Sequence, residues 1–162
     1  MAASSNLERL SANTPDGCLA LGMHREIIQN VGATYTLSNE ESGALCEYDR
    51  AAGVVYTLPS SPNEGCWFEF MATVTVTSNA YKVITAGSKY ILGTVFGYTT
   101  DATEIDGFSA DGSTHVAISS NGSTTGGVIG TRYILTYDGT RWLVTGHTFC
   151  GTATPADPFA TS

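Results

Sequence analysis

The stretch of residues 54 to 77, VVYTLPSSPNEGCWFEFMATVTVT, constrains the fold more strongly than any other part of the chain. Its second half alternates apolar side chains with mainly polar ones, and the apolar set is Phe68, Phe70, Ala72, Val74 and Val76. A period of two is typical of a β-strand with one buried face. Two prolines and a glycine between residues 59 and 65 favour turns, so the chain leaves the sheet there. The stretch therefore predicts a β-turn-β unit whose buried face the remaining strands must cover.

Short apolar runs separated by Gly, Asn, Ser and Asp clusters recur along the chain, and long helical patterns do not. This arrangement favours a sandwich or a barrel. The length of 162 residues fits one domain. We predict an all-β, single-domain antiparallel fold, a sandwich or a barrel, over residues 23–150. An extended N-terminal arm over residues 1–22 and a C-terminal tail over residues 151–162 flank it.

The two ends of the chain hold candidate contact residues. Leu7 and Leu10 are spaced for one helical turn, which the Thr-Pro-Asp-Gly sequence at residues 14–17 then stops. The arm is either a frayed terminus or an extension that docks on a neighbouring subunit. In the tail, Phe159 is either an anchor or an exposed side chain.

A hairpin is predicted around Asp138-Gly139, a dipeptide that favours a type I′ turn. A loop made of these two residues would pair Tyr137 with Thr140. The same register places Leu135, Trp142, Tyr133 and Val144 on a buried side. On the other side, Ile134 would lie opposite Leu143 among arginines and threonines, and this pair predicts either a second packing surface or a subunit contact.

An acidic segment covers residues 99 to 112. Its carboxylates are Asp101, Glu104, Asp106 and Asp111. Calcium prefers several oxygen ligands, but the regular spacing of a calcium loop is missing here. We interpret the segment as a solvated loop and expect neither a metal nor any other cofactor.

The charge balance limits the possible partners. The formal net charge is -8, with 7 lysines and arginines scattered along the chain, so binding to nucleic acid is disfavoured. No apolar run approaches the roughly 20 residues needed to span a membrane. The 4 cysteines show no CxxC pair, which favours reduced thiols in a cytosol over disulfides.

Catalytic motifs are not found in the sequence. His24, His115 and His147 are far apart, and Glu69 alternates outward between two phenylalanines as a solvated or interfacial carboxylate. No nucleophile elbow, phosphate-binding glycine loop or metalloprotease signature occurs. Paired carboxylates such as those of glycosidases have no signal above background. We therefore expect a non-enzymatic building block that forms a closed oligomer.

Several segments carry a resemblance to a known family. They are residues 25–28 (REII), 33–37 (ATYTL), 49–59 (DRAAGVVYTLP), 68–70 (FEF), 77–84 (TSNAYKVI), 111–118 (DGSTHVAI), 122–127 (GSTTGG) and 142–146 (WLVTG). From about residue 25 to the C-terminus, the chain resembles the head decoration, or cement, proteins of tailed bacteriophages. The resemblance implies an antiparallel β-sandwich of jelly-roll-like form. It also implies a trimer on the outer capsid surface, made in the host cytoplasm, that clamps adjacent copies of the major capsid protein. It implies no catalytic residues.

Two other functions compete with this interpretation. Turn motifs like the one at residues 49–59 also occur in phage tail-fibre proteins, so a tail-fibre or spike module that binds a host glycan is the alternative. Trp67 and the tyrosines would then contact the sugar. A secreted carbohydrate-active domain is the third possibility. For the decoration protein, the candidate capsid or subunit contacts are Leu7, Leu10, Ile134, Leu143 and Phe159.

Overall fold

A computed structural model describes residues 25–101 and 103–162. The predicted N-terminal arm, with Leu7 and Leu10, lies outside the described residues. The strands in chain order are β1 (Ile27–Ile28), β2 (Thr34–Thr36), β3 (Leu45–Tyr48), β4 (Val55–Thr57), β5 (Trp67–Ala72), β6 (Tyr81–Ile84), β7 (Ile91–Thr99), β8 (Ile105–Asp111), β9 (Ala117–Ser120), β10 (Arg132–Tyr137), β11 (Trp142–Cys150) and β12 (Phe159–Ala160). A short 3₁₀ helix, Asn39–Glu41, joins β2 to β3. In this part of the chain, no helix is long and apolar enough to cross a bilayer.

The strands form two packed sheets, which confirms the prediction of an all-β sandwich. One sheet has seven strands in the order β1-β3-β5-β10-β11-β7-β8, and the other has five in the order β12-β9-β6-β4-β2. The expectation of purely antiparallel pairing is wrong. The pairs β1–β3, β3–β5, β11–β7, β2–β4 and β4–β6 are parallel, so the sheets are mixed and the jelly-roll pattern does not describe them.

The parallel pairs arise because the first six strands alternate between the sheets. β1, β3 and β5 lie side by side in the larger sheet, and β2, β4 and β6 lie side by side in the smaller one. The chain therefore winds as a coil, and each connection crosses from one sheet to the other. This corrects the β-turn-β interpretation of residues 54 to 77, because β4 and β5 belong to different sheets and the proline-containing segment spans the gap between them.

Aromatic side chains from both sheets meet in the core of this coil. Tyr48 of the larger sheet stacks on Tyr81 of the smaller sheet with 4.5 Å between ring centroids. Tyr56 packs edge-on against Tyr48, and its ring centroid is 5.5 Å from that of Phe70. Large rings contribute much of the burial energy of a core. Tyr48, Tyr56 and Tyr81 are therefore buried between the sheets and are not free to contact a sugar, as the glycan-binding alternative would need.

The final hairpin forms, but its register differs from the prediction. Tyr137 pairs with Trp142, and Asp138 N–H donates to Arg141 O, so the two loop residues are Gly139 and Thr140. Gly139 has a φ of 93°, and Thr140 is not among the residues with positive φ. A type I′ turn needs positive φ at both loop positions, so this loop is not the predicted type I′ turn.

The register change moves each partner by two residues and so preserves the faces. The predicted buried set, Leu135, Trp142, Tyr133 and Val144, is buried as expected. On the outward side, Ile134 lies opposite Thr145 and Leu143 lies opposite Thr136, so these two apolar residues are not direct partners.

Two further segments differ from their predicted state. Half of the acidic segment, residues 105 to 111, is strand β8 rather than a loop, because these residues pair with β7 over the whole length of β8. The end of the tail is held in a sheet rather than free, because Phe159 and Ala160 pair with Ile118 and Ala117 of β9. The partner of the tail is distant in sequence, whereas β7 directly precedes β8 in the chain.

Candidate interaction surface

The outward-facing residues of the seven-stranded sheet form a surface that we call the outer face. Most of the large apolar side chains exposed in the described residues lie on it: Ile27, Trp67, Phe96, Ile105 and Leu143. Their exposed fractions run from 36% for Trp67 to 61% for Ile105. Soluble monomers rarely expose extended apolar patches, so this face is the strongest candidate for binding another protein.

The outward face of the five-stranded sheet has a different composition. One row across it consists of Thr34, Val55, Lys82 and Ser119. The large residues of this sheet, such as Tyr56 and Val83, point inward and are fully buried. The two outward faces therefore differ. Large apolar side chains are exposed on the outer face, whereas the row across the other sheet consists of threonine, valine, lysine and serine.

A cluster of three charged residues lies within the outer face. Glu69 of β5 accepts hydrogen bonds from Nη1 of Arg25 at one carboxylate oxygen and from Nε of Arg132 at the other. Only 7% of the Glu69 side chain is exposed, against 35% for Arg25 and 46% for Arg132. The two guanidinium groups therefore cover an outward-pointing carboxylate, which is neither solvated nor unpaired.

Two opposing effects set the pKa of Glu69. Burial disfavours the charged form, and the hydrogen bonds from Arg132 and Arg25 together with their charges favour it. The net result is a pKa below the ordinary value of a glutamate. At neutral pH the cluster therefore consists of one carboxylate and two guanidinium groups.

Arg25 also fixes the position of Trp67. Its guanidinium carbon lies 4.9 Å from the Trp67 ring centroid, which is within range of a cation–π interaction. It also donates from Nε to Gly43 O at 2.7 Å and from Nη2 to Ala44 O at 3.1 Å. Arg25, two residues before β1, is thereby attached to β5 and contacts the indole on the outer face.

The predicted contact residues do not form one group. Ile134 and Leu143 both lie on the outer face, Ile134 half-buried and Leu143 with 39% exposed. Phe159 is buried in β12 and its ring centroid is 5.7 Å from that of His115, so it anchors the tail. Leu7 and Leu10 fall outside the described residues.

Groups that could perform chemistry are dispersed. Within residues 25–101 and 103–162, no group of three or more His, Cys, Asp or Glu residues could hold a metal ion. His147 contacts Gly130 O through Nε2 at 3.1 Å on the outer face, whereas His115 lies beside the tail. Cys46, Cys66 and Cys150 are buried free thiols. Burial raises the pKa of each, so these thiols are poor nucleophiles.

A shallow cleft lies at one end of the sandwich. It encloses about 260 Å³ between the 3₁₀ helix and the start of the β4–β5 connection, and its lining includes Ser38, Asn39, Ser60 and Ser61. Small-molecule sites are usually lined by apolar and aromatic side chains, and this lining contains no aromatic residue. The cleft therefore gives little support to the glycan-binding alternative.

Sequence reasoning missed the charged cluster and most of the outer face. Arg25, Glu69 and Arg132 are far apart in the chain, and they meet only because β5 pairs with β10 and the segment before β1 lies over β3 and β5. Only Glu69 could be placed from the local sequence, because the alternation of apolar and polar residues around Phe68 and Phe70 correctly puts its side chain on the outward side.

Comparison with known proteins adds no family assignment. A scan of the chain against protein-family models gives no match, and a search of curated proteins gives no significant relative.

Proposed function

We propose that this protein is a head decoration protein of a tailed bacteriophage. It associates as a trimer, binds the outer surface of the capsid and clamps adjacent copies of the major capsid protein. The observation that carries the proposal is the apolar outer face, which a rigid sandwich presents on one side only. The resemblance of the segments at residues 25–28, 49–59 and 111–118 to decoration proteins supports the same function.

We assign the part of the outer face around Ile27, Trp67 and Leu143, away from the β8 edge, to the contact between subunits. Interfaces between identical subunits are more apolar than the remaining surface, and Ile27, Trp67 and Leu143 meet this description. The carboxylate of Glu69 is already paired with two arginines, so burying it requires no new partner. Covering the face leaves the Glu69 carboxylate paired, while the two arginines leave the cluster with one net positive charge.

The charge of the chain suits the outside of a capsid. A net charge of -8 disfavours contact with packaged DNA. A protein that binds the assembled shell, and not its separated subunits, stabilises the shell by RT ln(1 + [L]/Kd) per site. Many copies on one particle add these contributions.

The proposal is tested with purified protein and with capsids that lack it. Light scattering should give three times the mass of one chain, and cryo-electron microscopy of reconstituted particles should show density on the head. Leu143→Asp should break the trimer, because it places a charge in the apolar contact. Thr34→Asp, on the outward face of the other sheet, is the matched control and should leave the trimer intact.

The outcomes separate the competing functions. A strictly monomeric protein that does not bind capsids would overturn the proposal. Density on the tail would favour the fibre or spike module. A trimer that survives Leu143→Asp but no longer binds capsids would reassign the outer face from subunit contact to shell contact.

A further inference from the structure

Strand β8 forms an unusually long free edge. It runs for 7 residues, Ile105–Asp111, along the border of the seven-stranded sheet. The other three border strands, β1, β2 and β12, have 2, 3 and 2 residues. A long edge strand is a template onto which another strand can be added.

The hydrogen bonds at its two ends show which backbone groups are free. Thr99 N–H donates to Glu104 O at 3.2 Å, and Gly112 N–H donates to Ile91 O at 2.9 Å. Bonded residues alternate in an antiparallel pair, so the even-numbered residues of β8 bond to β7. Ile105, Gly107 and Ser109 therefore direct their N–H and C=O groups away from β7, and no described strand lies beyond them.

Of the features that usually block strand addition, β8 has charged side chains, Asp106 and Asp111, but not the others. The sequence of β8, IDGFSAD, contains no proline or lysine, and its pairing with β7 is continuous, without a bulge. A Cβ at Gly107 would lie 3.5 Å from Cε1 of Phe96, so the Phe96 ring rests on the backbone of β8. Phe96 and Ile105 thus present apolar surface beside the free backbone groups.

Charge indicates which kind of strand fits. Residues 99 to 112 contain four carboxylates and no lysine or arginine. Arg141 packs beside Gly112 at one end of the segment, and the carboxylates of Glu104 and Asp106 lie at the other. Pairing β8 with β8 of a second copy would bring two acidic segments together, which like charges disfavour. A basic segment would be complementary.

We propose that the edge of β8 binds, by strand addition, an extended segment of another protein in which lysine or arginine alternates with apolar residues. The backbone of Ile105, Gly107 and Ser109 supplies the hydrogen bonds. Phe96 and Ile105 contact the apolar side chains, and the acidic residues contact the basic ones. This inference does not rest on the capsid proposal, because the edge is complete within one chain.

The probe is a synthetic eight-residue peptide of alternating lysine and valine, with a glutamate–valine peptide of the same length as the control. On adding the lysine peptide, the amides of Ile105, Gly107 and Ser109 should exchange more slowly with solvent in NMR spectra. The amides of β2, at the edge of the other sheet, should not change. Binding should weaken as the salt concentration rises.

A matched pair of variants isolates the backbone contact. Ser109→Pro removes an N–H that points away from β7, so the fold keeps its ladder, whereas Ser109→Ala retains that N–H. Ser109→Pro should weaken peptide binding about tenfold or more relative to Ser109→Ala, since it removes a hydrogen bond and adds a steric block. If Ser109→Pro does not fold, the double variant Glu104→Gln, Asp106→Asn tests the charge and should weaken binding about threefold or more.

Several results would overturn the proposal. These are equal binding of the two peptides, equal binding by the two Ser109 variants, or unchanged binding by the charge variant. Self-association through β8, seen as a mass increase that Ser109→Pro abolishes, would show that the occupant is a second copy instead.

Discussion

Nε of Arg132 in β10 donates a hydrogen bond to Glu69 in β5, across the junction between the two halves of the larger sheet. β5 is the last strand that the coil of β1 to β6 contributes to this sheet, and β10 begins the hairpin. Arg25, before β1, bonds to the other oxygen of the same carboxylate. One glutamate thus connects the start of the coil, its last strand in this sheet and the hairpin.

Replacing Glu69 should destabilise the protein. Glu69→Ala leaves two guanidinium groups close together without their shared partner, and we expect a loss of about 1–2 kcal/mol in the free energy of unfolding. Urea denaturation measures this loss. Glu47→Ala, on the same sheet in β3, is the control and should change the stability by less than about 0.5 kcal/mol. Equal losses in the two variants would show that the cluster contributes nothing specific.

The cluster should also make stability depend on pH in the acid range. The pKa of Glu69 is lower in the folded protein than its ordinary value of 4.5. Its stabilising contribution is therefore complete above that value and is lost as the pH falls through the folded pKa. The difference in unfolding free energy between wild type and Glu69→Gln should shrink as the pH falls below 4.5. A constant difference over this range would contradict the assignment.

Gly126 should be among the least replaceable residues. Its φ is 90°, and a Cβ there would overlap Oγ1 of Thr148. Gly65 has a similar φ of 83° with nothing within 4 Å of the added Cβ, so Gly65→Ala measures the backbone effect alone. We expect Gly65→Ala to lower the free energy of unfolding by about 1 kcal/mol, and Gly126→Ala to lower it by at least about 2 kcal/mol more. Chemical denaturation measures both losses. Equal effects would mean that Thr148 moves away freely.

Alkaline solution should unfold the core through its tyrosines. Burial raises the pKa of Tyr81 and of Tyr133 to about 12 from an ordinary value of 10.0. A tyrosine is neutral when protonated, so burial favours its protonated form. The stability that this contributes is therefore complete below pH 10.0, the ordinary pKa of tyrosine, and is lost as the pH rises through the pKa in the folded protein. Absorbance at about 295 nm should show these tyrosines ionising together with the loss of near-ultraviolet circular dichroism. Ionisation at lower pH without unfolding would contradict their burial.

The buried thiols should react only after unfolding. Cys46, Cys66 and Cys150 are buried, and burial raises the pKa of each. In a Cys18→Ser variant, a water-soluble thiol reagent should modify almost nothing under native conditions and 3 thiols per chain in denaturant. Rapid native modification would show that one of these sites opens readily.

Local sequence patterns predicted most of the strands but not their partners. The alternation around Phe68 and Phe70 correctly gives a strand with a buried face, and the hairpin pattern correctly separates Leu135 from Ile134. The hairpin register was wrong because the Asp138 carboxylate accepts the N–H groups of Thr140 and Arg141, which moves the loop by one residue. The acidic segment was assigned to a loop because of its four carboxylates, yet pairing with β7 makes half of it a strand.

The sequence by itself determined the all-β class, the inward side of each main strand and the absence of an unbroken apolar span. These properties follow from side-chain alternation and turn residues, which act over a few neighbouring positions. Only the tertiary structure decided that the early strands coil between two sheets, that Glu69 lies between two arginines and that β8 is the last described strand at one border of its sheet. Each of these depends on which distant strands pair, and that choice is made by packing the whole core rather than by any local pattern.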